Sequence, residues 1–557
     1  MEYTSSIPAK IELLNSLAQQ YKYDGNYEEA EASLIKSLEL AKELDVINPE
    51  RDRIDMAQVK NSWGLLYLEL QDYPKAKVSF QEALDIIIPL AATDSIKYQP
   101  DLANVYRNIG VVYAKSNEYV IGEDHYLKAL ASYKQLAERD PQTYERPLIL
   151  IQEDLASIYS NLNEVAKAEE IFLNVLDTYK RLTEKNPVQY EEYIAAVQTS
   201  LFILYSRNRE LPKAEEAINE AFEIYSRIAE ENPERYDYYK ARVLGDMALL
   251  HWNKGDLEKT KEYFLRSLAI STPLAEDNPK VYQVMVARMK SNLAVTYRYL
   301  GDLTKAEATY NEVLNIYKPL VEKDPRTYQL RMCFPLVNIA DLKQILLEKE
   351  ADRKYQDEGI AILNEVTELL SIYDAQMRDV QALNAEVERL NTYFTSLTDQ
   401  DYLVFNEINR VMAIEERIKG DDSIDPILTR KTESLPIIES ALISFSGNQK
   451  LNSFSAEYYG NLCWSLAEAG LFAEAEKYAL KGLSIDESQE WIKSNLAPVL
   501  LHQGKYAEAE SIYLELKDKP QRNGTYKNIF IGDLRTLEDK GFHHDDVSKI
   551  RAILEKE

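Results

Sequence analysis

The chain has 557 residues, of which 93 are Asp or Glu and 65 are Lys or Arg, for a formal net charge of −28. That balance excludes general binding to nucleic-acid backbones and to anionic membranes, both of which call for a basic surface. Two cysteines, Cys333 and Cys463, exclude a disulfide framework.

Met1 to Leu17 lacks the basic start and apolar run of a signal peptide, and no stretch of about 18 apolar residues follows. The expected compartment is the cytoplasm. Glycine is scarce and no Ser/Gly- or Pro-rich linker divides the chain, while Ala, Leu, Glu and Lys are plentiful. This composition predicts an all-helical protein.

In chain order, helix pairs are predicted at residues 10–45 and then every 46 residues to about 330. Ala30, Ala76, Gly122, Ala168, Ala214, Thr260 and Ala306 stand 46 apart. Twelve residues before each lies a second slot: Ala18, Gly64, Gly110, Ala156, Phe202, Ala248 and Ala294. Three residues after that slot come Tyr21, Tyr67, Tyr113, Tyr159, Tyr205, His251 and Tyr297. A period in this range means a solenoid, in which stacked units bury a shared core. Turns such as Asp24-Gly25-Asn26, Gly255-Asp256 and Gly301-Asp302 separate the two helices of a unit. Asn48-Pro49, Asp140-Pro141, Asn186-Pro187, Asn232-Pro233, Asn278-Pro279 and Asp324-Pro325 mark where one unit stops and the next begins, because Asp or Asn caps a helix and Pro suits its first position. Each helix is expected to run roughly 18–20 residues, to fit two into the period.

These slots resemble the tetratricopeptide repeat. The residue before the first small slot is apolar or aromatic (Leu17, Trp63, Ile109, Leu155, Leu201, Met247, Leu293), and four after the second is large (Leu34, Phe80, Tyr126, Phe172, Ile218, Phe264, Tyr310). The unit departs from the usual length of about 34 residues, and in this it looks like long bacterial arrays. The resemblance implies a right-handed superhelix of antiparallel helix pairs.

The eighth unit starts in phase at Leu336, Ile339 and Ala340 and then slips, the apolar run resuming about seven residues late at Gly359. An insertion in the helix-to-helix turn is the simplest reading. The organisation expected is an array over 1–345, an irregular helical insert over 346–450, two short repeats over 451–522 and capping helices over 523–557. Ala475 and Ala509, 34 apart, carry the short repeats, with turn glycines Gly470 and Gly504.

Most candidate chemistry reads as structure. His543-His544-Asp545-Asp546 is helix-start chemistry rather than a metal site. Neither cysteine has a base motif beside it, so catalysis is not expected. His251 packs in a tyrosine slot, and most of the 39 tyrosines are expected to be structural. There is no Gly-rich phosphate loop, and no cofactor is expected.

One constellation stands apart. In the family that the repeat resembles, the first helix of each unit lines the concave face. The inward positions of repeats three to seven then hold Arg107, Lys115, Arg207, Arg242, Arg288 and Arg298 against one acid, Glu153, with Trp252 and Tyr299 among them. Beside them lie Asn108, Asp154, Asp246 and Asn292, at a position where some relatives use Asn to hold a peptide. The resemblance therefore implies a non-enzymatic scaffold that binds an acidic or extended segment of a partner protein in its groove. The alternative is a regulatory subunit that holds or releases a separately encoded effector enzyme.

Overall fold

A computed structural model describes residues 7–555 except 24–25, 48, 186, 374, 376, 522 and 523. The described residues are almost entirely helical and divide into two compact units, residues 1–338 and 339–557. Among them no helix is long and apolar enough to cross a membrane.

The first unit is a row of antiparallel pairs: α1 (Ile7–Tyr23) and α2 (Tyr27–Ile47), α3 (Pro49–Glu69) and α4 (Tyr73–Thr93), α5 (Ser95–Lys115) and α6 (Tyr119–Arg139), α7 (Pro141–Asn161) and α8 (Val165–Lys185). It continues with α9 (Pro187–Arg207) and α10 (Leu211–Glu231), α11 (Pro233–Asn253) and α12 (Leu257–Asp277), and α13 (Pro279–Tyr299) and α14 (Leu303–Lys323). From α2 to α14 every helix has 21 residues, slightly more than the sequence reading allowed. The small slots are closed by rings from the partner helix. A Cβ on Gly64 would lie 2.5 Å from Phe80, and one on Gly110 would lie 2.7 Å from Tyr126. His251 is buried and stacks on Tyr263 at 5.2 Å.

The caps act as their residue types dictate. Asp140, Asn232 and Asp324 accept from the backbone N–H three residues on, at 3.2 Å in each case. Asp94 does the same for Lys97 at 3.0 Å, with Ser95 where the other units carry Pro. Asn278 caps α13 through its carbonyl alone. Asn48, Asn186 and the Asp24-Gly25 turn lie outside the described residues.

The turn inside each pair needs one left-handed residue. Gln71, Asn117, Asn163, Arg209, Gly255 and Gly301 fill it in successive repeats, with φ of 58°, 62°, 63°, 60°, 78° and 81°. Only two of these are glycine. Asn tolerates this conformation, whereas Gln and Arg meet a Cβ clash worth roughly 1–2 kcal/mol. Arg209→Gly is expected to raise the urea midpoint of the first unit, by about 0.5–1 kcal/mol once the looser unfolded chain is counted. Gly255→Arg should lower it by a similar amount. Equal midpoints for wild type and both variants would mean that the turn carries no strain.

One superhelical turn of this unit takes about six repeats. Lys280, at the start of α13, donates to Asn26 Oδ1 in the turn of the first repeat at 2.9 Å. Gln19, Lys22, Tyr23, Tyr27, Glu69, Lys280 and Val281 line the cleft where those repeats meet.

The phase slip has a different cause from the one expected. α15 (Pro325–Glu350) has 26 residues against 21 for α13, and α16 (Lys354–Leu370) follows after three residues, the same separation as between α13 and α14. The left-handed residue is now Ala351, φ 51°. The first helix has lengthened by five residues and the turn has not, which accounts for five of the roughly seven residues of slip. The charged run around Glu348 extends the helix because Glu and Lys are good helix formers.

In the second unit follow α17 (Arg378–Ser396), α18 (Asp399–Gly420) and α19 (Pro426–Thr429), which passes through a π turn at Arg430–Ser434 into α20 (Leu435–Ser444). Bonds between Arg389 and Asp341, Tyr393 and Glu348, and Tyr402 and Gln356 span 48, 45 and 46 residues. That stride matches the one in the first unit although the sequence slots have gone. The short pairs are α21 (Gln449–Glu468) with α22 (Phe472–Ile485) and α23 (Glu490–His502) with α24 (Tyr506–Leu516), whose turn glycines Gly470 and Gly504 both have φ of 75°. A two-residue ladder pairs Pro520 with Thr525 and Gln521 with Gly524 before α25 (Tyr526–Asp539) and α26 (Val547–Glu555). Tyr513 and Phe530 meet edge to face at 4.6 Å in the core beneath α25.

Candidate partner-binding cavity

The first helices of repeats present a strip of polar residues, and the strip is not uniform. Arg107 on α5 is half-buried, and its Nε donates to Asp154 Oδ2 on α7 at 2.7 Å. Asn108 donates to Asn61 Oδ1 at 2.8 Å. Arg207, at the exposed end of α9, donates to Asn161 Oδ1 at 3.0 Å. Lys115 is exposed at the end of α5. Arg107, Asn108 and Arg207 stitch adjacent repeats together. Arg107, expected among the inward-facing groove residues, has its charge met by a carboxylate one repeat on.

Arg242 also departs from expectation. It is half-buried on α11, and Asp246 lies one turn further along the same helix. Burial pushes the Asp246 carboxyl up to about 6, while Arg242 and Arg288 pull the other way. Arg242 and Arg288 thus both serve the half-buried Asp246, and Arg242 is not a fully exposed groove residue.

Arg288 is exposed on α13. With Asn292, one turn on, it lines a cavity of about 510 Å³. Ser291, Tyr238, Tyr317 and Arg331 complete its polar lining, and Val281, Val284, Met285, Phe334 and Pro335 its apolar lining. Two guanidiniums therefore face one cavity whose lining includes no carboxylate. Arg331 is exposed, and its guanidinium carbon lies 6.0 Å from the Tyr328 ring. A planar fork of donors on each side suits a carboxylate, and Asn292 and Ser291 add neutral donors for a peptide carbonyl.

Trp252, Arg298 and Tyr299 form a separate cluster. Trp252 and Tyr299 meet edge to face at 5.0 Å, and the Arg298 guanidinium lies 4.8 Å from the Tyr299 ring. Tyr299 is 58% exposed, so this cluster presents an aromatic surface to solvent at the end of α13.

Slot counting missed Arg331, Tyr238 and Tyr317. Arg331 and Tyr238 lie upstream of the inward positions counted for a short first helix, and the longer helices of this array carry the inner face further towards their N-termini. The signal available was the Asp/Asn-Pro cap, which sets where each long helix begins. Glu153, the one acid counted, is half-buried beside Tyr179 with its Oε1 shielded from solvent, and burial pushes its carboxyl up to about 7.

Comparison with known proteins gives one family. Family profiles described as tetratricopeptide repeat match residues 239–319, 11–44 and 149–187. No curated protein matches the chain. Among solved structures it is similar to the apo form of the quorum sensor NprR from B. thuringiensis, with 17% identity over 69% of this chain and 99% of that one and a TM-score of 0.37. It is also similar to the apo form of RapI (14% identity, 56% of this chain, 99% of that one, TM-score 0.38) and to BtubC from P. vanneervenii (21% identity, 44% of this chain, 92% of that one, TM-score 0.36).

Proposed function

We propose that this chain of tetratricopeptide repeats is a protein-interaction scaffold that takes an acidic, extended segment of a partner protein into the arginine-lined cavity of its first unit. The scaffold is non-enzymatic in this reading, and it requires no cofactor. The observation that carries the proposal is the pairing of Arg288 and Arg331 around a cavity whose lining holds no carboxylate. In a chain with a net charge of −28, such a patch is a local reversal of sign. An acidic segment is repelled by the rest of the surface and held only where the guanidiniums converge. That gives register and selectivity as well as affinity.

The test is fluorescence anisotropy of the full chain with labelled nonapeptide pools that carry Glu, Lys or Ala at the fixed central position. The Glu pool is expected to bind more tightly than the Ala pool, with a dissociation constant that rises with ionic strength. Equal binding of the Glu and Ala pools, or binding of the Glu pool that ignores salt, would overturn the proposal.

A further inference from the structure

A second cavity, of about 740 Å³, lies wholly within the second unit. It is built by α18, α21, α23 and α25, with Arg430 entering from the π turn. Such turns widen a helix locally and recur at functional sites. Its size falls within the range of ligand pockets.

The charges around this cavity are unequally satisfied. Arg430 Nε donates to both oxygens of Glu415 at 3.1 Å, and its Nη1 donates to Ser465 Oγ at 3.0 Å. Glu415 is held as well by the Tyr458 hydroxyl at 2.7 Å. The other cation, Lys419, is met by Glu416 at 3.1 Å. Both positive charges at the cavity are thus answered by carboxylates of the chain itself.

Two lining carboxylates are left. Glu457 is exposed, and no ion pair engages it among the described residues. Asp533 is half-buried; its Oδ2 is shielded from solvent and meets no donor, and Glu468 and the buried Tyr513 are the ionisable groups that act on it or feel it. Burial pushes this carboxyl up to about 7, with Glu468 adding to the effect. A shielded acid without a donor is costly unless something supplies one.

Between and around the acids stand Trp464, Trp491 and Phe454, each half-buried, with Met412 and Ile529 exposed at 42% and 37%. Aromatic faces attract a cationic head and cover an aliphatic stem. Asn461 and Asn495 add amides able to bond a peptide backbone. We infer that this cavity is a second protein-binding site, one that accepts an extended segment carrying a lysine or arginine beside a large apolar side chain, with the cation set against Asp533 and Glu457 and the apolar groups against Trp464 and Trp491.

The site is independent of the arginine-lined cavity, and its chemistry has the opposite sign. The full chain is titrated with the central-Lys and central-Glu nonapeptide pools, alongside Asp533→Asn, Glu457→Gln and the double variant Arg288→Gln, Arg331→Gln. Asp533→Asn keeps the shape and removes a shielded charge, and Glu457 is exposed, so both variants are expected to fold as wild type by circular dichroism. The Lys pool is expected to lose about ten-fold in affinity in Asp533→Asn and several-fold in Glu457→Gln, and to be unchanged in the arginine double variant. A Lys pool that binds no better than the Ala pool, or binds Asp533→Asn as tightly as wild type, would overturn the inference. Loss of Glu-pool binding alone bears on the first cavity and leaves this one standing.

Discussion

Replacing Arg288 and Arg331 together by Gln is expected to weaken binding of an acidic segment by roughly two to four decades. Each charge-assisted hydrogen bond contributes roughly 1.5–3 kcal/mol net. Losing two therefore removes roughly 3–6 kcal/mol, at about 1.4 kcal/mol per decade. Arg288 and Arg331 are both exposed, so the change should leave the fold intact, with the loss of the Arg288 charge near Asp246 checked by circular dichroism and a urea midpoint. Arg242→Glu is a poorer test than its slot in the repeat suggests. It would place a second acid one turn from the half-buried Asp246, so loss of binding would be confounded with loss of stability. In the Arg288, Arg331 double variant the salt dependence of binding should flatten as well, since the screened charges are gone. Unchanged affinity and an unchanged salt slope in a folded variant would mean that the partner binds elsewhere.

The second large effect concerns stability and pH. Burial holds Glu153 and Asp533 at about 7 and Asp246 at about 6. A carboxyl raised in the folded state binds its proton more tightly there than in the unfolded chain. Each such group therefore costs stability when ionised, and stability rises as pH falls from about 8 towards about 5. For Glu153 the displacement corresponds to about 3 kcal/mol at most. Other carboxylates act in the opposite sense. Lys77 holds Glu118 below its usual range, Lys213 does so for Glu169 and Lys505 for Glu476. Their contribution is present above the usual carboxylate value and is lost as pH falls through their lowered ones. The expected profile falls towards pH 8 and falls again on the acid side, where the lowered carboxylates and the histidines His125 and His251, both lowered by burial, lose their contribution. Urea midpoints measured from pH 4 to pH 8.5 test it. Glu153→Gln should raise the midpoint at pH 8 and leave it nearly unchanged at pH 5. A midpoint that climbs steadily to pH 8 in both proteins would contradict the assignment of Glu153 as a half-buried acid that is neutral at low pH.

Much of the fold was legible because the repeat states its own geometry. The Asp/Asn-Pro step fixes where first helices begin, and the small-residue slots fix how the pairs close. Asp94-Ser95 escapes the pattern only because Ser stands in for Pro. The left-handed turn residue was legible at Gly255 and Gly301 but hidden at Gln71 and Arg209, where tertiary register overrides local preference. The slip in the eighth unit was visible and its cause was not, since a charged run serves equally as a turn or as an exposed helix face. The site was half-legible. Arg288 and Asn292 follow from the slot pattern. That Arg107 is answered by Asp154, 47 residues away, depends on how neighbouring helices face each other, which no single helix records. Arg331 lay outside the counted window, and the cavity of the second unit lay where slot counting had stopped.

An acidic partner segment is expected to sit between Arg288 and Arg331. Phe334 lines that cavity and is 41% exposed, so a photo-crosslinking benzoylphenylalanine can replace it without filling the core. Leu265, 44% exposed on α12, serves as the outer-face control. Mass spectrometry of the crosslinked partner then reads the segment directly. Efficient crosslinking is expected from position 334 to a stretch rich in Asp and Glu, and little from position 265. Crosslinks from position 265 alone, or from position 334 to a basic or uncharged stretch, would contradict it.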